Sequence, residues 1–159
     1  MKTVERSFVV AGLAFLIATG AAWAQAKDAV EGTWELNVTK SAFSPGPAPK
    51  SETRTYVASG SDMKLTLKGL GVDGKPTSIQ TSYSLDGREH PIIGSPDADS
   101  QSIARVDALN TKGTLKKGGK VVQTVRREIA KDGKTMTITF EGVNAQGQTI
   151  KNVMVFEKK

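Results

Sequence analysis

Apolar residues recur at every second position through most of the chain beyond residue 32, the period of a strand with one face on a core. Trp34, Leu36 and Val38 alternate with Thr33, Glu35 and Asn37, and Met63, Leu65 and Leu67 with Lys64, Thr66 and Lys68. Ile79, Thr81, Tyr83 and Leu85 share a face opposite Ser78, Gln80, Ser82 and Ser84. Met136, Ile138 and Phe140 alternate with three threonines, and Val121, Val125 and Ile129 are read on one face of a longer strand that carries Thr124, Arg126 and Glu128 on the other. The last segment, Ile150 to Glu157, is apolar on both faces, as expected of a closing strand. Such one-sided alternation describes antiparallel strands with one side in water.

Between these runs stand turn dipeptides: Asp73-Gly74, Asp86-Gly87, Asp132-Gly133 and Gly118-Gly119, with Asn144 to Gly147 as a longer hairpin loop. They supply the positive φ angles of tight hairpins. Ser41 to Lys50 contains Pro45, Pro47 and Pro49 and reads as a stiff surface loop rather than a central strand. Ser100 to Leu109 places Ile103, Val106 and Leu109 at helical spacing, yet its neighbours are strands and a strand ending at Asn110 is favoured. The expected fold is all-β, an antiparallel up-and-down barrel of about 8–10 strands that hides its edges by closure. A β-sandwich is the alternative.

The first 26 residues have a different pattern. Lys2 and Arg6 precede an apolar run from Phe8 to Ala18, and Ala22-Trp23-Ala24 and Ala24-Gln25-Ala26 both fit an A-x-A cleavage site. That run is shorter than the roughly 20 residues of a membrane span. We therefore expect a cleaved signal peptide over 1–26, one domain over 27–159, no membrane span, and a periplasmic or extracellular location. The chain has no cysteine, so neither a disulfide framework nor a lipoprotein anchor is available. The formal net charge is +6. Its lysines and arginines are scattered and its aromatic rings few, which argues against nucleic-acid binding.

Gly32-Thr33-Trp34 at the start of the first strand resembles the opening of lipocalin and calycin barrels. That resemblance implies a tryptophan plugging the closed end, with a basic residue, Lys158 or Lys159, across the indole. It departs from the lipocalin pattern in lacking an arginine at that place and a helix after the last strands. A closer resemblance is to a family of small secreted bacterial lipocalin-like proteins. It rests on Gly32 to Asn37, Lys40 to Pro47, Asp86 to Pro91, Gly94 to Asp99 and Lys131 to Thr137. It implies fold and export and no established activity.

Candidate chemistry is sparse. His90 is the only histidine, so a His-based metal site or general base lacks partners, and no cofactor or metal is expected. Asp97 and Asp99 lack the further carboxylates of a calcium loop, and Lys112, Lys116, Lys117 and Lys120 read as a charged hairpin. The inward faces remain. Trp34, Leu67, Thr81, Tyr83, Phe140 and Phe156 are the candidate ligand-binding residues, with Thr81 and Tyr83 orienting a small hydrophobic molecule. The reading is a non-enzymatic exported barrel with an apolar ligand. The alternative is an envelope structural or interaction protein whose barrel is filled. Neither reading sets an oligomeric state.

Overall fold

A computed structural model describes residues 27–159, all of them in and around one β-sheet. The expected signal peptide and its cleavage sites lie outside the described residues. Eleven strands follow in chain order: β1 (Gly32–Leu36), β2 (Ala42–Ser44), β3 (Ser51–Ser59), β4 (Asp62–Leu70), β5 (Pro76–Ser84), β6 (Asp86–Ile93), β7 (Ser100–Arg105), β8 (Asn110–Lys117), β9 (Lys120–Ile129), β10 (Thr135–Val143) and β11 (Thr149–Lys158). From β3 to β11 each strand pairs with its successor, all antiparallel. β1 joins β3 on one edge and β11 on the other, with Trp34 opposite Lys158 and Leu36 opposite Phe156. Ten strands therefore close into an up-and-down barrel of the expected lipocalin-like kind, and closure excludes the sandwich.

Several expectations about segments are corrected. The first strand does not reach Val38. Asn37 turns its side-chain oxygen back to accept the Lys40 N–H, which starts a single 3-10 turn over Val38–Lys40. The chain then resumes as β2, which lies beside Lys151 to Val153 on the same edge of β11 that β1 occupies. β1 and β2 are thus one interrupted strand, and the Pro-bearing connection shrinks to residues 45–50. Ser100 to Arg105 is a strand, as favoured, but residues 106–109 form the following turn. Val121 is 57% exposed and belongs to the outer face. The register of β8 against β9 slips at Lys116, so Gln123, Val125, Arg127 and Ile129 are the inward set.

The two ends of the barrel differ. At one end lie the β3–β4, β7–β8 and β9–β10 hairpins, crossed by residues 27–31. Trp34 and Val30 are fully buried there, and the indole Nε1 donates to the Val30 carbonyl at 2.7 Å. Lys158 lies 4.8 Å from the Trp34 ring and donates to the Ala29 carbonyl. Register decides between the two terminal lysines. Lys158 is opposite Trp34 and shares its face, whereas Lys159 points outward to Glu35. An Asp28–Arg105 ion pair fastens the crossing segment. This is the closed end. The other end carries the 45–50 connection and the β4–β5, β6–β7, β8–β9 and β10–β11 turns. These turns are laced together: Ala145 N–H donates to Asp97 and Gly118 N–H donates to Asp99.

Candidate functional site

Inward residues pass from sealed to half-buried along single strands. On β10, Met136 and Ile138 are 0% and 2% exposed, whereas Phe140 and Gly142 further along are half-buried. On β5, Tyr83 and Thr81 are buried and Ile79 is half-buried. Thr111 on β8 is buried, while Gly113 and Leu115 are half-buried. The lower barrel is filled by Trp34, Met136, Ile138 and Phe156, and toward the other end half-buried Phe140, Leu115 and Ile79 stand among buried Leu67, Gln101, Gln123 and Ile150. Gly113 is closely covered by the Ile103 side chain and the Ser102 backbone. It stands opposite Ile103 and Val125, and a Cβ there would approach the Ser102 carbonyl oxygen to 2.2 Å, so the position stays without a side chain.

Polar groups converge between these zones. Arg54 and Tyr56 follow at two-residue spacing on β3 and face inward with Glu52. Arg54 Nε donates to Glu52 at 2.6 Å, and the guanidinium lies 5.1 Å from the Phe156 ring and 5.6 Å from the Phe140 ring. Burial works against the charge on Arg54, but Glu52 and Tyr56 outweigh it and hold the guanidinium above its ordinary value. Arg127, on β9 and also buried, lies 5.4 Å from the Tyr56 ring and makes one long contact, 3.4 Å, to the Tyr83 hydroxyl. Its Nε is buried with no partner among the described residues. Burial, with Tyr56 adding to it, pushes the Tyr83 hydroxyl up to about 12 against the opposing pull of Arg127.

Of the six residues expected to line a site, Tyr83, Phe140 and Phe156 meet this cluster, and Leu67 stands opposite Arg54 on the neighbouring strand. Trp34 lies below it as the floor. Thr81 is buried in the wall with its hydroxyl engaged: it donates to the Pro91 carbonyl and accepts from Gln101 Nε2, both at 2.9 Å. The cluster's charged members, Glu52, Arg54 and Arg127, were not anticipated. Parity was the available signal, since Arg127 alternates with Val125 and Ile129 on the inward face.

Other candidates are weaker. His90 on β6 is half-buried, with Nε2 3.0 Å from the Ser84 hydroxyl. That hydroxyl donates to Asp86 rather than to the imidazole, so it is not held as a nucleophile against a base. A recess of about 840 Å³ lies on the outer face of β7 to β11, among Lys112, Arg126, Glu128, Glu141 and Lys151. It is open and holds no buried polar group, so the interior cluster is the stronger candidate. Among the described residues no helix is long and apolar enough to cross a membrane, and no three His, Asp or Glu side chains converge as metal ligands.

Comparison with protein-family models and with curated protein sequences returns no match. Among solved structures the chain is similar to zebrafish ileal bile acid-binding protein complexed with cholic acid, at 15% identity and a TM-score of 0.49, covering 82% of this chain and 99% of that one.

Proposed function

We propose that this barrel is an exported, non-catalytic carrier that holds a small, largely apolar molecule along its axis. The observation that supports the reading is a set of half-buried apolar residues on the inner wall. Residues facing the axis are sealed at the Trp34 end, whereas toward the 45–50 connection half-buried Phe140, Val125, Leu115 and Ile79 are interspersed with buried Leu67, Gln101, Gln123 and Ile150. A ligand entering from that end would rest on Phe140, Phe156 and Leu67, with Tyr83 beneath and Trp34 as the floor. An eight-stranded barrel is just wide enough for packed side chains or one small ligand, and ten strands make a wider one.

A neutral environment-sensitive dye such as Nile red tests the reading without invoking charge. Saturable, one-to-one fluorescence enhancement is expected in the wild type. It should be lost in Val125→Trp, which adds bulk at a half-buried inward position, while the melting temperature is kept. An enhancement that never saturates, or that Val125→Trp leaves unchanged, would favour a filled barrel acting as an envelope interaction protein. Export rests on the basic, apolar and A-x-A segments before Lys27. N-terminal sequencing of protein recovered from the periplasm of a bacterial host tests it, with a start at Gln25 or Lys27 expected and an intact Met1 against it.

A further inference from the structure

We infer that the ligand carries a carboxylate, which sits against Arg127 between Tyr83 and Tyr56 while its apolar body extends toward Phe140. This deepens the carrier reading and rests on it. The argument begins with the charges buried in the barrel wall. Arg54 has its counter-charge in Glu52, 2.6 Å away. Arg127 has none: among the described residues no carboxylate pairs with it, and Nε lacks any partner. Asp28 lies within electrostatic range, but it is held by Arg105 and the Val30 N–H. Burial pushes that carboxyl up, and those partners outweigh it.

An unpaired buried guanidinium is costly and cannot relieve itself by losing a proton. The Tyr56 ring and one 3.4 Å contact to Tyr83 compensate it only in part. A group with one negative charge and two acceptor oxygens would balance the charge and satisfy Nε together with a terminal nitrogen, the fork geometry arginine offers to carboxylates. One unpaired cation matches a monoanion better than a phosphate. The site also sits at the right depth. Below it Met136, Ile129 and Trp34 are sealed, and above it Val125 and Phe140 are apolar and half-buried, with Gln123 buried beyond them. A carboxylate on Arg127 would leave its apolar body against Val125 and Phe140, which suits an amphipathic acid entering tail-last.

The test is titration with 11-(dansylamino)undecanoic acid and with its methyl ester, on wild type, Arg127→Met and Arg127→Lys. The acid should bind the wild type ~10- to 100-fold more tightly than the ester, the range of a charge-assisted hydrogen bond. That advantage should vanish in Arg127→Met, where acid and ester should bind alike, and shrink in Arg127→Lys, which keeps the charge and loses the fork. It should persist at high salt, because a buried pair is poorly screened, whereas attraction to the positive surface would not. Ligand-free Arg127→Met should melt no lower than wild type, since it removes an uncompensated charge. Equal binding of acid and ester by the wild type would overturn the inference and leave the carrier reading standing. Survival of the acid's advantage in Arg127→Met would overturn it too. Failure of both probes and of Nile red to bind would overturn the carrier reading itself. Should Arg127→Met fail to fold, the wild-type acid-to-ester ratio and Arg127→Lys still decide.

Discussion

Trp34 carries several roles at once because its face, its ring nitrogen and its edge each have a different partner. The indole is wholly buried, its nitrogen reaches the Val30 carbonyl, and its face takes the Lys158 ammonium. Truncation would remove a filled volume and release residues 27–31 from the barrel end. Trp34→Ala is therefore expected to cost about 3–5 kcal/mol, measured by the urea midpoint. A near-zero shift would mean that the closed end contributes little to stability. Lys158→Met keeps the aliphatic stem over the ring and loses the charge, so it should cost only about 1 kcal/mol. Trp34 is the only tryptophan among the described residues, so its fluorescence reports the closed end directly. Arg127 is the opposite case, a residue whose surroundings leave a hydrogen-bonding group unmet.

The strands are unequal in how they are held. β5 and β6 share only two residue pairs, Gln80 with Ile93 and Thr81 with Ile92, whereas β10 and β11 share nine. Pro91 lacks an N–H for that ladder. The Thr81 hydroxyl and the His90 contact to Ser84 are the substitutes that bridge the seam. Amide hydrogen exchange should accordingly be fastest along β6 and the Ser82–Ser84 end of β5, and slowest in β10 and β11. Uniform protection around the barrel would refute this. The same unevenness explains which elements were legible from sequence. Strands whose inward positions are Met, Leu, Ile or Phe, such as β4 and β10, announce their period. β3 turns Glu52 and Arg54 inward, β8 turns Thr111 and Gly113 inward, and β6 contains a proline, so none of the three shows apolar alternation. On β9 Arg127 keeps the parity of Val125 and Ile129, but a charged residue there does not register as part of an apolar face. The candidate site was half visible for that reason. Its aromatic members belong to apolar alternations that read directly, and its charged members interrupt the apolar character of the inward face.

At the scale of the whole molecule, stability should fall on both sides of neutral pH, for different reasons. On the acid side, Asp28, Asp86, Asp107, Glu89, Glu141 and Glu157 all have carboxyls held below their ordinary values. Asp28 is held by Arg105 and the Val30 N–H against the burial that pushes it up, and the others by hydrogen bonds from backbone and neighbouring side chains. Their folded values lie below their unfolded ones, so the stability they add is present above the ordinary carboxylate range and is lost as the pH falls through it. The alkaline side tests the interior. Tyr83 is held neutral by burial, and its hydroxyl ionises near 12 in the fold against 10.0 ordinarily. Between those values the unfolded chain releases a proton that the folded chain keeps. The unfolded state then binds fewer protons, and stability must fall as the pH rises through the window, by up to ~1.4 kcal/mol per pH unit. Urea midpoints measured from pH 9 to about pH 12 should show that decline in the wild type and a shallower one in Tyr83→Phe, which has no proton to release. Identical alkaline slopes in the two proteins would mean that Tyr83 is open to solvent. A carboxylate ligand on Arg127 should raise the wild-type curve throughout, because it binds only the folded barrel, and should raise the curve of Arg127→Met less at the same concentration.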